Sequence, residues 1–197
     1  MRKFKTALLT LALVMGVATG ASAQSTATDF VRQKSDEIIR VINTAPSRDA
    51  RLSQLRGTVR TTLDFGLLAQ RSLGSHWESL NAAQRTEFTN TLRDVIEQTY
   101  SERLGDQRLE PGSYSVVFAD ETERRGRYTV DGRVSSGGKT YHVLVRLQRS
   151  TAGEWQLYDV VTDDISLTEV YAESFDTIMR RHGYDELLRR LKTRAGF

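Results

Sequence analysis

The period of the hydrophobic pattern changes twice along this chain, and the change limits the folds that it can adopt. Apolar residues recur at helical spacing over residues 28–105, alternate with polar ones over 114–157, and return to helical spacing over 166–194. A segment patterned for a helix cannot bury one face as a strand, and the reverse also holds. Helices, then strands, then helices, with no linker-like stretch between them, predict a single α+β domain.

Local sequence signals divide the two helical regions. The segments 81–84 (Asn-Ala-Ala-Gln) and 166–169 (Ser-Leu-Thr-Glu) resemble capping boxes, and Gly74 and Gly183 end helical patterns. We therefore expect helices over residues 28–43, 48–62, 64–73, 82–105, 167–182 and 184–194.

Four alternating runs in the middle of the chain predict an antiparallel meander. The breaks between them contain Gly126, Gly137, Gly138 and Gly153, as hairpin turns do. The runs cover residues 114–118, 128–130, 141–147 and 155–157. We expect helices packed on a curved antiparallel sheet of about four strands.

Residues 1–23 have the order of a secretory signal peptide. A basic start is followed by an apolar run over 6–20 and by Ala21-Ser22-Ala23, which supplies small residues for a peptidase. We expect cleavage between Ala23 and Gln24, leaving one domain over 24–197. The alternative is an uncleaved anchor, although the run is shorter than the roughly 20 residues that span a bilayer.

The charge balance changes when this leader is removed. Three basic residues leave with it, so 25 Lys and Arg remain against 25 Asp and Glu, and the net charge falls from +3 to zero. Nucleic-acid-binding proteins normally carry a net basic surface, so the mature chain does not fit that class. The chain contains no cysteine, which excludes disulfides, thiolate catalysis and cysteine-ligated zinc.

The sequence contains no recognised catalytic or metal-binding motif. A phosphate loop, a dinucleotide-binding glycine motif and a nucleophile elbow are all absent. The histidines His76, His142 and His182 are isolated, and we expect His142 to lie solvated on the polar face of a strand. Asp163 and Asp164 precede a helix, where we expect them to cap it. We expect no catalytic residue and no metal site.

Charges of opposite sign separate along the last helices. Residues 159–176 hold six acidic and no basic residues, whereas 180–194 hold six basic and two acidic ones. Such faces are usually solvated surface. The alternative is a docking surface for a charged partner or a lipid headgroup.

Three segments, in order, resemble the MlaC family, also called a toluene-tolerance auxiliary family. The segments are Asp64-Phe65-x-x-x-Ala69-x-x-x-Leu73-Gly74-x-x-Trp77; Gln84-Arg85-x-x-Phe88 continuing to Tyr100; and Trp155 through Tyr158-Asp159-Val160 to Ser166-Leu167, Tyr171, Phe175, Gly183 and Leu188-x-x-Leu191. The chain departs from the family where Asp163-Asp164-Ile165 stands in place of a common glycine, and where Ala172 stands in place of a common arginine.

The resemblance implies a nuclear-transport-factor-2-like cone with a deep apolar cavity for the acyl chains of a phospholipid. It implies a periplasmic carrier in a Gram-negative bacterium, with phospholipid as cargo and no cofactor. The implied role is to move glycerophospholipid between an outer-membrane lipoprotein complex and an inner-membrane ABC transporter with an MCE-domain protein, which maintains outer-membrane lipid asymmetry.

Under this resemblance, inward apolar side chains of the helices and strands form the cavity wall. From the residues alone, the same stripes would more commonly fill a closed core. Trp77 has two interpretations as well, since it can lock its loop onto the core or line the pocket mouth. The predicted wall residues are Phe65, Leu68, Phe88, Leu92, Tyr100, Val116, Phe118, Tyr141, Val143, Val145, Leu147, Trp155, Leu157, Tyr171 and Phe175.

Two other classes of function remain open at this point. An exported isomerase or hydratase would need an ionisable group inside the cavity. Asp159 is the candidate, because regular alternation along the strand would place its side chain on the same inward face as Trp155 and Leu157. A structural hydrogen bond is the other interpretation of Asp159. The second class is an adaptor domain that binds only protein and lacks a large cavity.

Overall fold

The helices and strands follow the predicted order. The computed structural model describes residues 25–106, 109–110 and 112–196, so the predicted signal peptide lies outside the described residues. The elements are α1 (Ala27–Thr44), α2 (Arg48–Thr62), α3 (Phe65–Leu73), a 3-10 helix (Gly74–Ser79), α4 (Ala82–Gly105), β1 (Tyr114–Arg124), β2 (Arg127–Ser136), β3 (Lys139–Arg149), β4 (Trp155–Thr162), β5 (Ile165–Ser166) and α5 (Leu167–Arg194). The predicted α+β class is confirmed. Within the described part of the chain, none of these helices has the length and apolar character needed to cross a bilayer.

Side-chain caps explain where the helices begin. The predicted capping box of α4 is present: Asn81 Oδ1 accepts from the Gln84 amide at 2.9 Å, and Gln84 Oε1 accepts from the Asn81 amide at 3.0 Å. At α5, Ser166 Oγ accepts from the Glu169 amide at 3.2 Å, and the Asp159 carboxylate accepts from the Thr168 amide at 3.1 Å. The serine half of the predicted box is therefore present, and a carboxylate of β4 accepts from a further amide of the first turn.

Gly183 divides α5 into two limbs. Its backbone angles (φ 78°, ψ −177°) are open to glycine and strained for other residues, so the helix kinks there. The two limbs match the two helices predicted on either side of Gly183. The second limb contributes the buried residues Leu187, Leu188 and Leu191.

The sheet is an antiparallel meander with strand order β1-β2-β3-β4-β5. Its four long strands are the predicted ones, and β5 adds a two-residue fifth strand, too short to show a periodicity. Two irregularities interrupt the pairing, one between Phe118 and Glu121 and one between Leu157 and Asp159. Bulges of this kind bend and twist a strand, so they curve the sheet locally.

The buried apolar residues form separate groups. The helical cluster lies between α3, α4 and both limbs of α5, and the sheet cluster lies between α1 and one face of the sheet. The buried members of the helical cluster are Val59, Leu68, Ala69, Leu73, Leu80, Phe88, Leu92, Val95, Ile96, Phe175, Leu187 and Leu191. Those of the sheet cluster are Ala27, Val31, Val130, Val145, Leu147, Trp155 and Leu157. A third group joins Val41 and Ile42 of α1 to Leu55 of α2.

Polar contacts hold the start of α1 on the sheet. The Thr28 amide donates to Glu121 Oε2 at 2.7 Å, and Trp155 Nε1 donates to the Ser25 carbonyl at 2.8 Å. Both contacts join residues far apart in sequence, so they fix α1 across the sheet. The face that α1 covers is called the inner face below.

Candidate functional site

The predicted wall residues from the helices lie together. All of them belong to the helical cluster, either as buried members or as half-buried side chains packed against it: Phe65, Leu68, Phe88, Leu92, Tyr100, Tyr171 and Phe175. Phe88 and Phe175 meet edge to face with ring centroids 5.7 Å apart, and Tyr171 lies 5.3 Å from Phe175. In this structure these side chains pack mainly against one another.

Most of the predicted wall residues from the strands belong to the sheet cluster: Phe118, Val143, Val145, Leu147, Trp155 and Leu157. The strand register explains why they share the inner face. Leu147 lies opposite Leu157, and Val143 lies opposite Gly132. A Cβ atom on Gly132 would lie 2.5 Å from Phe118 Cδ1, so the absence of a side chain there lets the phenylalanine ring rest on the strand.

Val116 and Tyr141 belong to neither cluster. Both lie opposite Val134, one in β1 and one in β3, so they extend the inner face beyond the sheet cluster. Their side chains are half-buried, as are those of Phe118 and Val143. The inner face therefore continues as an apolar stripe that the described helices cover only in part.

Leu63 connects the two clusters, and its role was not apparent from the sequence. It lies between α2 and α3, packs against both clusters and forms a parallel bridge with Leu157. The neighbouring Asp64 amide donates to the Leu157 carbonyl at 2.8 Å, which holds the α2–α3 junction against β4. The helical pattern gave no reason to choose this residue, because it follows the last residue of a predicted helix.

Three depressions in the described surface lie away from the predicted wall. Their volumes are about 470, 350 and 600 Å³. Residues of α2 line the first, the ends of α4 and α5 line the second, and the first half of α4 lines the third. No predicted wall residue lines any of these three, so assigning those residues to a lipid cavity stays a prediction.

The titratable groups in the helical cluster are tyrosines. Burial raises the pKa of Tyr100 and that of Tyr171 above the ordinary value. Burial also raises the pKa of Tyr184 to about 12, and its hydroxyl donates to the Gln84 carbonyl at 2.9 Å. These phenols stay neutral near pH 7, which keeps charge out of the cluster.

Asp159 does not face the side of the sheet that the alternation predicted. Tyr158 is the extra residue of a bulge in β4, so Leu157 pairs with Leu147 while Asp159 pairs with Arg146 on the opposite face. The prediction that Asp159 shares a face with Trp155 and Leu157 was wrong. The bulge adds one residue to β4, so the side chains that follow it alternate in the opposite sense.

The carboxylate of Asp159 is fully buried and hydrogen-bonded. It accepts from Arg146 Nη1 at 2.9 Å, from Ser166 Oγ at 2.8 Å and from the Thr168 amide at 3.1 Å. These bonds tie β3 and β4 to the start of α5. The geometry supports the structural interpretation of Asp159 and leaves it poorly placed to act as a general base.

Two other polar residues singled out in the sequence, His142 and Asp163, also have structural contacts. His142 is exposed, as expected, and its Nε2 lies 2.9 Å from Asp131 Oδ2. Asp163 and Asp164 do not cap α5. They form the β4–β5 turn with positive φ angles, and Asp163 Oδ1 accepts from the His142 amide at 3.1 Å. Among the residues with described positions, no group of three potential ligands is arranged to hold a metal ion.

Trp77 packs against the helical cluster with a half-buried ring, and the Arg85 guanidinium lies 5.3 Å from the ring centroid. Arg85 Nε also donates to the Trp77 carbonyl at 3.0 Å. Of the two interpretations that the sequence allows, these contacts support the one in which Trp77 locks its loop onto the core.

Comparison with known proteins finds a relative that is similar in sequence and a solved structure that is similar in fold. A curated relative from Haemophilus influenzae, the intermembrane phospholipid transport system binding protein MlaC, is 26% identical over 150 residues, which is 72% of this chain and 68% of the relative. The solved structure of a phospholipid-binding protein from Ralstonia solanacearum, in complex with a phospholipid, is similar with a TM-score of 0.74. The match covers 87% of this chain and 98% of that structure at 22% identity, so it establishes the shared fold.

The family model described as MlaC protein matches residues 32–193. This match spans most of α1, the whole sheet and nearly all of α5, and it includes the three segments that carry the resemblance in the sequence. The chain therefore belongs to the MlaC family.

Proposed function

We propose that this protein is a periplasmic carrier that moves glycerophospholipid between the outer and inner membranes. The observation that carries the proposal is the half-buried apolar stripe of the inner face, which continues into the sheet cluster and meets the helical cluster at Leu63. Two findings support phospholipid as the cargo: the name of the Haemophilus relative and the phospholipid held by the Ralstonia protein.

The acyl chains would lie between the inner face and the helical cluster. Val116, Tyr141 and Val143 would contact them on the sheet side, and the residues around Leu63 would contact them where the clusters meet. Chains in this place would replace contacts that Leu63 now makes with both clusters. Loading therefore requires the helices and the sheet to separate locally.

A carrier is needed because free acyl chains are costly to move through water. Each exposed methylene costs about 0.8 kcal/mol, so a lipid with about thirty methylenes faces a cost on the order of 24 kcal/mol. An interior about as apolar as the bilayer removes most of this cost and leaves loading nearly balanced with unloading. The headgroup can then remain at the mouth, in water.

The direction of transport must come from partner proteins. The sequence has no phosphate loop with which to bind a nucleotide, so the carrier cannot couple transfer to hydrolysis itself. The proposed partners are an inner-membrane ABC transporter with an MCE-domain protein and an outer-membrane lipoprotein complex. In this arrangement the carrier is the soluble component that helps to maintain outer-membrane lipid asymmetry.

Protein purified from the bacterial envelope without detergent is expected to contain diacyl phospholipid. The reason is that an apolar site between the inner face and the helical cluster binds the most abundant amphiphile with two chains. Mass spectrometry of an organic extract measures the bound lipid and its ratio to protein. Lipid-free protein that also takes up no phospholipid from vesicles would favour the adaptor function instead.

The exported protein is expected to begin at Gln24, because Ala21 and Ala23 satisfy the small-residue rule of the signal peptidase. Intact-mass measurement of protein from the periplasmic fraction identifies this end. A matched variant, Ala23→Leu, should slow cleavage and leave a longer species. A mature protein that still starts at Met1 would contradict the periplasmic assignment.

A further inference from the structure

Ser72 is a buried polar residue whose hydroxyl has no hydrogen-bond partner among the described residues. It lies on the buried stripe of α3 with Leu68, Ala69 and Leu73, all three of which belong to the helical cluster. Its side chain is fully buried, and its hydroxyl makes no hydrogen bond within residues 25–106, 109–110 and 112–196. Buried hydroxyls are normally paired, because an unpaired one loses its bonds to water without replacement.

Two other buried hydroxyls, those of Ser101 and Thr58, are paired. Ser101 of α4 is also fully buried, but it donates to the Gln98 carbonyl at 3.1 Å and accepts from Arg56 Nε at 3.4 Å. Thr58 donates to Glu37 Oε1 at 2.7 Å. Ser72 therefore differs from an otherwise equivalent serine in a neighbouring helix, and an acceptor from outside the chain would complete its hydrogen bonding.

The chemistry of a phospholipid limits which of its atoms could serve as that acceptor. A phosphate is charged and stays at the water-exposed mouth, because moving a charge into an apolar interior is very costly. The ester carbonyls are neutral acceptors attached directly to the acyl chains, so they can follow the chains into an apolar site. We propose that the Ser72 hydroxyl donates to an ester carbonyl of the bound lipid and so sets how deeply the lipid enters.

This inference rests on the proposed function, and it adds a chemical preference to it. A neutral hydrogen bond of this kind changes affinity by about two- to tenfold. The wild-type protein should therefore hold a phosphatidylcholine with two ester-linked chains about two- to tenfold more tightly than the matched ether-linked lipid, which lacks the carbonyls.

The test compares Ser72→Ala with the matched variant Ser101→Ala. Both variants are loaded with the ester lipid or the ether lipid of equal chain length, and the rate of lipid loss to acceptor vesicles is measured. Ser72→Ala should speed loss of the ester lipid about two- to tenfold and leave loss of the ether lipid unchanged. Ser101→Ala should keep the wild-type ratio between the two lipids.

Thermal unfolding of the lipid-free proteins provides a second readout. Ser72→Ala should unfold at or above the wild-type temperature, because its hydroxyl bonds to none of the described residues, whereas Ser101→Ala should unfold at a lower temperature. A drop for Ser72→Ala as large as that for Ser101→Ala would overturn the inference, as would equal effects on both lipids. Wild-type protein that binds neither lipid would overturn the proposed function and this inference with it. Binding of both lipids without preference would overturn the inference alone.

Discussion

Asp159→Ala is expected to lower the free energy of unfolding by about 2–6 kcal/mol, because two buried donors lose their acceptor at a cost of about 1–3 kcal/mol each. The substitution leaves the Thr168 amide and the Ser166 hydroxyl without their shared acceptor in a fully buried place. It also removes the ion-pair partner of Arg146. Urea unfolding followed by circular dichroism measures the loss.

Asp159→Asn provides the matched control. The amide oxygen can still accept from the Thr168 amide or from the Ser166 hydroxyl, and the remaining loss is mainly the ion pair. Since the Arg146 side chain is 30% exposed, water can solvate its charge, so the destabilisation should be clearly smaller than for alanine.

Lipid transfer between vesicles separates the carrier from the enzyme hypothesis. A carrier with Asp159→Asn that remains folded should transfer lipid at close to the wild-type rate. An enzyme that used this carboxylate as a base would lose orders of magnitude in rate while keeping its fold. The second outcome would contradict the structural role assigned to Asp159.

Val143→Gln is expected to weaken phospholipid retention about 5- to 150-fold. Val143 is half-buried on the inner face, opposite Gly132, where the proposed lipid site continues from the sheet cluster. A bound acyl chain would take water away from the added amide without offering a partner, at a cost of about 1–3 kcal/mol. In the lipid-free protein the amide can keep some contact with water, so the fold should survive.

The neighbouring residue Leu144 supplies the control. It is also half-buried, but it points to the opposite face of β3, because side chains alternate along a strand. Leu144→Gln should therefore change lipid retention much less than Val143→Gln. Retention is measured as lipid per protein after gel filtration of loaded samples. Equal losses in both variants would place the acyl chains elsewhere.

The sequence by itself determined the order and most of the limits of the helices and long strands. These features depend on neighbouring residues: the capping box at Asn81, the special conformation of Gly183, and the change of period at Tyr114. The three motif segments also identified the family, because they can be recognised from the sequence alone and occur along the chain in the family's order. Interactions that span only a few residues leave a pattern that can be read directly.

Only the tertiary structure decided which side chains meet. The bulge at Tyr158 reverses the phase of β4, so Asp159 pairs with Arg146 on the face that a regular alternation would not assign to it. Leu63 joins the two apolar clusters through a contact with Leu157, which lies far along the chain. Ser72 and Ser101 look alike in the sequence, yet only Ser101 finds partners among its described neighbours in space. The register of strand pairing and the hydrogen-bond partners of buried side chains depend on how distant segments pack together. The hydrophobic pattern within one segment therefore cannot predict them.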